Sequence, residues 1–339
     1  MTTLVRRIGL VLAIAFAFVC STMTQASALS LHATDWESSI ISIAPATHVV
    51  GIEVLNGGEA LQLTVQPQHT ALILGYRNEP YLRINADGEV QANLKSPTWW
   101  SNKTGTGSGS VPDSADPTAA PEWSRIGSNG SVAWHDHRIH AMPGVTTGTD
   151  WTVLLTVDDM PLVVRGQLTK LPSHAPLLEV LLAIVAAATI VILGFRRAWA
   201  ICSVSTLFGA ALAIVVASGG WTATPSGFTH PWLPLLASLL TGALAIASVL
   251  FRHVSRRLRV TTMVGAVAAL AWWVALNVST LTAVFVPNTY AASVVRFSVG
   301  LALGIVVGVA VVIVLSGGFT ELNEGDQAVV DNGNDAAAV

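Results

Sequence analysis

Five long apolar runs fill the second half of the chain, and they constrain its fold more than any other feature. They cover residues 177–195, 199–218, 232–251, 262–281 and 297–315. Each is close to the ~20 residues that a helix needs to cross the hydrocarbon core of a bilayer. Lipid offers the backbone no hydrogen-bond partner, so such runs must satisfy themselves as helices. Composition agrees. Hydrophobic residues make up 52% of the chain and charged ones 11%, roughly half the charge of a soluble globule. The length suits about two domains.

Basic residues set the expected orientation. Arg196 and Arg197 follow the first run, and Arg252, His253, Arg256, Arg257 and Arg259 follow the third. Both loops are expected on the cytoplasmic side. The segments 219–231 and 282–296 hold one Arg between them and are expected outside. The tail 317–339 is then cytoplasmic. It carries five acidic residues and no Lys or Arg, a pattern expected to stay disordered.

The first 28 residues read as a secretory signal. Arg6 and Arg7 precede an apolar stretch, and Ala26-Ser27-Ala28 offers small residues for cleavage after Ala28. The competing reading is a retained anchor. The only cysteines are Cys20, in this signal, and Cys202, in the second run. The mature external part therefore has neither disulfide nor thiolate chemistry.

Residues 29–172 form the polar part, and their pattern is β. The segments 47–55, 61–65, 70–76, 81–84, 89–90, 151–157 and 162–168 alternate or carry β-formers. Turn residues separate them: Asn56-Gly57-Gly58, Asn85-Ala86-Asp87-Gly88 and Asp158-Asp159-Met160-Pro161. The expected fold is α+β and multi-domain: an external antiparallel β-sandwich, then a five-helix transmembrane bundle at 173–316. A Gly/Ser/Thr/Pro-rich stretch, 101–121, reads as a flexible connection or lid. Residues 29–175 hold 14 acidic and 8 basic side chains, a net of −6. That balance argues against nucleic acid or anionic lipid as partners of this domain.

The runs themselves are almost bare of ionisable groups, unlike a transporter or proton pump. Glu179 and Arg296 fall near the outer ends, where they are expected to reach water. Asn277 is the strongly polar side chain inside a run, and an interhelical hydrogen bond is its expected use. Gly300, Gly304 and Gly308 recur every four residues on the last run. This face lets another helix approach closely, either within the chain or from a second copy.

Chemistry concentrates in one polar stretch, Trp134-His135-Asp136-His137-Arg138-Ile139-His140-Ala141-Met142. On a regular strand His135 and His137 share one face, while Asp136, Arg138, His140 and Met142 share the other. Convergence of the three histidines therefore requires a bend. Given one, His135, His137, His140 and Met142 form a ligand set for copper, or zinc through imidazole. His32, His48 and His69 are further nitrogen donors. The competing reading is a structural network of Trp134, Asp136, Arg138 and His140 built on an Asp–Arg pair. No catalytic residues are expected. The chain has no nucleophile elbow, no HExxH helix and no Gly-rich phosphate loop.

Four stretches carry a resemblance: Gly75-Tyr76-Arg77-Asn78-Glu79-Pro80-Tyr81-Leu82-Arg83-Ile84, Asp87-Gly88, Ser96-Pro97 and Trp134–Met142. In them the chain resembles an uncharacterised family of actinobacterial membrane proteins with a signal peptide, an external β domain carrying a W-H-D-H-R-x-H motif, and C-terminal spans. The resemblance implies that architecture and no assigned activity. The sequence thus predicts a non-enzymatic, multi-pass protein of the cell membrane, with its external β domain a binding or interaction module. Extracytoplasmic copper handling is the sharper alternative, and an external hydrolase the remote one.

Overall fold

The computed structural model describes residues 33–102, 110–142, 145–225 and 228–316. The expected signal, the acidic tail, His32 and part of the 101–121 stretch lie outside the described residues.

Ten antiparallel strands make the N-terminal domain: β1 (Trp36–Ala44), β2 (Val50–Leu55), β3 (Ala60–Val65), β4 (Ala71–Leu74), β5 (Pro80–Ile84), β6 (Val90–Asn93), β7 (Trp123–Gly127), β8 (Ser131–Trp134), β9 (Thr149–Val157) and β10 (Met160–Lys170). Seven form one sheet in the order β1-β10-β9-β4-β5-β6-β7, and β2-β3-β8 form the other. Strict alternation drives this. In β10, Leu162, Val164 and Leu168 are buried while Arg165 and Gln167 are exposed, as period-two burial requires. The inward residues of both sheets share one core that includes Leu63, Ile73, Leu82, Trp134, Ile139 and Leu155. The β9–β10 turn holds Asp158 and Asp159 at positive φ (48° and 65°), the twist that suits a two-residue hairpin. A five-residue helix, α1 (Pro97–Ser101), interrupts the sheet after β6. Ser96 caps it by accepting from the Trp99 N–H, and Pro97 opens it, where a missing N–H costs nothing.

Five helices follow, each long and apolar enough to cross a membrane: α2 (Leu177–Phe195), α3 (Ala198–Thr222), α4 (Trp232–Leu250), α5 (Arg256–Asn277, continued as a 3₁₀ turn to Leu281) and α6 (Ala292–Leu315). The first two lie within one helical stretch of 46 residues, Leu177–Thr222. A straight helix of that length would be roughly 70 Å, about twice the length of α6. Contacts show two antiparallel spans instead. Gly300, Gly304 and Gly308 of α6 meet Glu179, Ala183 and Ile190 in order, so α2 runs parallel to α6. Gly209 meets Ile305 and Gly219 meets Asn288 and Tyr290, so α3 runs the opposite way. The chain therefore reverses between Phe195 and Ala198. α5 begins six residues before its apolar run because Ser255 accepts from the Leu258 N–H and caps it there.

The β domain is tied to one end of this bundle. Thr34 and Phe285 exchange two backbone hydrogen bonds (3.0 and 2.9 Å). Asp35 accepts from the Val284 N–H at 2.9 Å and from Ser173 Oγ. The His174 N–H donates to the Thr282 carbonyl at 2.7 Å. The basic stretches around Arg196 and Arg256 lie at the other end.

Two expectations change, those for Glu179 and Asn277. Glu179 does not reach water: it is 3% exposed, packed against Gly300, with its Oε1 3.2 Å from His174 Nε2. Arg296 stays partly exposed and donates to the carbonyls of Thr280, Ala283 and Val284, closing the end of the 3₁₀ turn. Asn277 bonds within its own helix, to the Trp273 carbonyl at 2.8 Å, the local i−4 bond that a short polar side chain makes without a neighbouring helix. The glycine face of α6 is filled by α2, which leaves it closed to a second copy.

A Cβ at Gly304 would lie 2.4 Å from the Ala183 carbonyl oxygen, whereas one at Gly242 of α4 would meet nothing nearer than 3.8 Å. Gly304→Ala should therefore lower stability by about 1–3 kcal/mol through overpacking, while Gly242→Ala should be neutral or stabilising. Thermal unfolding of both variants in detergent checks this.

Candidate functional site

β8 ends at Trp134, and the predicted site begins where it ends. The Ile139 N–H donates to the Asp136 carbonyl at 3.1 Å, closing a turn over Asp136–Ile139. The Arg138 N–H donates to Asp136 Oδ1 at 3.0 Å, the local bond that Asp favours in turns. The Ile139 side chain is fully buried and plugs this turn into the core. Strand alternation stops here, so the strand-face separation of the histidines does not apply.

Asp136 sits at the centre and is fully buried. Its Oδ2 accepts from Trp134 Nε1 (2.9 Å) and Arg138 Nη2 (2.7 Å), and its Oδ1 from Arg138 Nε (2.9 Å). Burial alone would raise its pKa. The bidentate guanidinium, the indole N–H and the backbone N–H outweigh burial and hold it below the ordinary carboxylate value. Arg138 also donates through both terminal nitrogens to the Leu74 carbonyl, at 3.3 Å each, and lies 5.1 Å over the Tyr76 ring. The Asp–Arg pair expected from sequence is therefore present.

Tyr76 links this pair to the next segment. Its hydroxyl accepts from the His137 N–H at 2.8 Å and donates to Asn102 Oδ1. Asn102 Nδ2 donates to the buried Tyr81 hydroxyl at 3.3 Å. Burial pushes both phenols above their ordinary value, so both remain neutral donors and acceptors. Beside them the buried Glu79 carboxylate accepts from Ser96 Oγ (2.8 Å) and from Thr98 Oγ1 (2.6 Å). Burial would raise Glu79, yet these hydroxyl donors hold it low. Residues from three of the four stretches quoted above thus meet in adjoining hydrogen-bonded clusters.

The rings of the three histidines lie beside one another. The ring centroid of His135 lies 5.1 Å from that of His137 and 4.9 Å from that of His140. His137 stacks on Tyr76. His135 is 3% exposed, and its Nδ1 is 2.7 Å from the Glu59 carbonyl. A carbonyl only accepts, so Nδ1 carries the proton and neutral His135 keeps a lone pair on Nε2. That Nε2 is buried and has no hydrogen-bond partner among the described residues. Burial lowers the His135 pKa, partly offset by the Glu59 carbonyl. His140 Nδ1 lies 3.5 Å from the carboxylate of Glu59, which is itself buried. Sequence reasoning missed Glu59 because it sits 76 residues upstream, just before β3, and only the β3–β8 ladder brings it here.

Two of the remaining donors are elsewhere. His69 pairs with Asp158 at 2.6 Å on the β9–β10 turn, and His48 is exposed. The Met142 carbonyl accepts from the Val145 N–H. Among the described residues no group of three or more His, Cys, Asp or Glu is arranged to hold a metal ion. The chain matches no protein-family model, no curated protein and no solved structure.

Arg138→Met should cost about 3–5 kcal/mol, because it leaves the Asp136 charge buried with its strongest partner gone. Adding Asp136→Asn should recover part of that loss. Denaturant unfolding followed by tryptophan fluorescence measures both. His135 gives a pH dependence of known sign. Its folded pKa is depressed, so the unfolded chain binds more protons below about 6.5. Stability conferred by neutral His135 is present above that pH and is lost as pH falls below it. Melting temperature should drop between pH 7.5 and 5, and His135→Gln should flatten the drop.

Proposed function

We propose that this protein is a multi-pass membrane protein of the cell envelope whose β domain is an extracytoplasmic binding module. The observation that carries this is the convergence of three separated sequence stretches on one end of the β domain, around buried Asp136. A scaffold needs no such concentration of neutral phenols, imidazoles and paired charges at one end, whereas a binding site does. The basic loops fall at the bundle end opposite this domain. By the preference of Lys and Arg for the cytoplasmic face, the β domain is external and the C-terminal tail cytoplasmic. A signal cleaved after Ala28 fits that orientation.

A second reading is binding of copper or zinc. It is supported by the His135 tautomer, since a backbone carbonyl on Nδ1 with a lone pair on Nε2 is how metal-ligating imidazoles are held. In this reading His137 and His140 turn toward His135, and the Glu59 carboxylate takes the place that sequence gave to Met142. Nitrogen and oxygen donors suit Zn(II) and Cu(II) better than Cu(I).

Calorimetric titration of the full protein in nanodiscs with Cu(II), Zn(II) and Cu(I) tests this second reading. It predicts one divalent ion per chain, lost in a variant with alanine at positions 135, 137 and 140. Equal binding by the wild type and that variant would end the metal reading.

A further inference from the structure

The two basic stretches of the bundle are far apart in sequence and meet in space. The Arg259 guanidinium, in the first turns of α5, lies over the Trp199 ring at the start of α3, 4.5 Å from its centroid. That contact sets the stretch 252–259 beside the α2–α3 reversal. Arg256 and Arg257 are exposed, and Arg259 is partly so. Among the described residues no carboxylate lies at this end of the bundle. The chain has no Asp or Glu between Glu179 and Glu321, and Glu179 pairs with His174 at the opposite end. The first turn of α5 holds no acidic residue, although the helix dipole already makes that turn positive. Arginines crowded there repel one another, and an anion relieves the repulsion. Exposed apolar side chains adjoin them: Leu250 at the end of α4, Val254 in the connection and Leu258 on α5.

We propose that this face binds an anionic phospholipid, with its phosphate at Arg256, Arg257 and Arg259 and its acyl chains along Leu250, Val254 and Leu258. Cations gathered where apolar spans end sit at the depth of lipid headgroups, and each attracts an anionic headgroup. Trp199 is of the residue type that favours the same depth. The exposed Leu and Val beside the arginines select a ligand with hydrocarbon attached, not a free phosphate. The competing occupant is the tail 317–339, which follows α6 at this end and carries five acidic residues. The lipid is favoured because one molecule matches both the cations and the apolar residues. This lipid site is independent of whether the β domain binds a ligand.

The test is thermal unfolding of the full protein in neutral detergent doped with dioleoylphosphatidylglycerol, dioleoylphosphatidylcholine or inorganic phosphate. The phosphatidylglycerol should raise the melting temperature by about 2–4 °C, and the other two should not. Raising salt from roughly 0.1 to 1 M should weaken that rise by screening. Arg256→Gln combined with Arg257→Gln changes two exposed side chains and leaves the Trp199 contact in place. It should increase the lipid fraction needed for half the rise at least about tenfold, whereas Arg125→Gln on β7 should not change it. Equal rises with the two lipids would overturn the proposal, as would an unchanged response in the double variant or the same rise with inorganic phosphate. If phosphatidylglycerol has no effect and removal of residues 317–339 lowers the melting temperature, the tail covers this face and the lipid site falls.

Discussion

The buried carboxylate of Asp136 is the interaction on which the Trp134–Met142 segment of the β domain depends. An isolated charge in that position would be intolerable. It is tolerated because four N–H groups converge on its two oxygens, from Trp134, from the Arg138 side chain and from the Arg138 backbone. Each of those bonds also fixes something else. The indole bond holds Trp134 in the core at the end of β8. The backbone bond turns the chain. The guanidinium, once aligned, has donors left for the Leu74 carbonyl and a face for Tyr76. Tyr76 then passes order to His137 and Asn102. The imidazole cluster owes its proximity to this turn and not to any strand.

A second constraint sets where that end of the domain sits. α2 and α6 run parallel in close contact, because three glycines spaced by four residues let the α2 backbone approach. Their shared upper end carries Glu179, Arg296 and the loop that pairs Phe285 with Thr34. The β domain is thus held by backbone bonds and by Asp35, not by a linker alone. A mount of this kind fixes the β domain at one end of the bundle.

Much of this was legible in the sequence. Apolar length found all five spans, since lipid leaves the backbone no alternative to a helix. Period-two alternation found most strands. The Asp136–Arg138 pair was legible too, because residues two apart in a turn meet through local geometry. What was not legible depended on register. β1 and β7 lack a clean apolar alternation, and β8 is only four residues long: β1 reads Trp-Glu-Ser-Ser-Ile-Ile-Ser-Ile-Ala, and β7 is an edge strand with Arg125 and Ile126 exposed. Glu59 reaches His135 and His140 only through the β3–β8 pairing. Glu179 and Asn277 were misjudged for one reason. Position along a span says how deep a residue lies, not which neighbour it faces.

Hydrogen exchange across the Trp134–Met142 segment of the full protein tests the central claim most directly. If the Asp136 network orders the turn, the amides of His137, Arg138 and Ile139 are protected to a degree comparable with β8, since each has a named acceptor. In Arg138→Met that protection is lost while β9 and β10 keep theirs. Exchange of these three amides at the rate of an unstructured loop in the wild type would contradict the account.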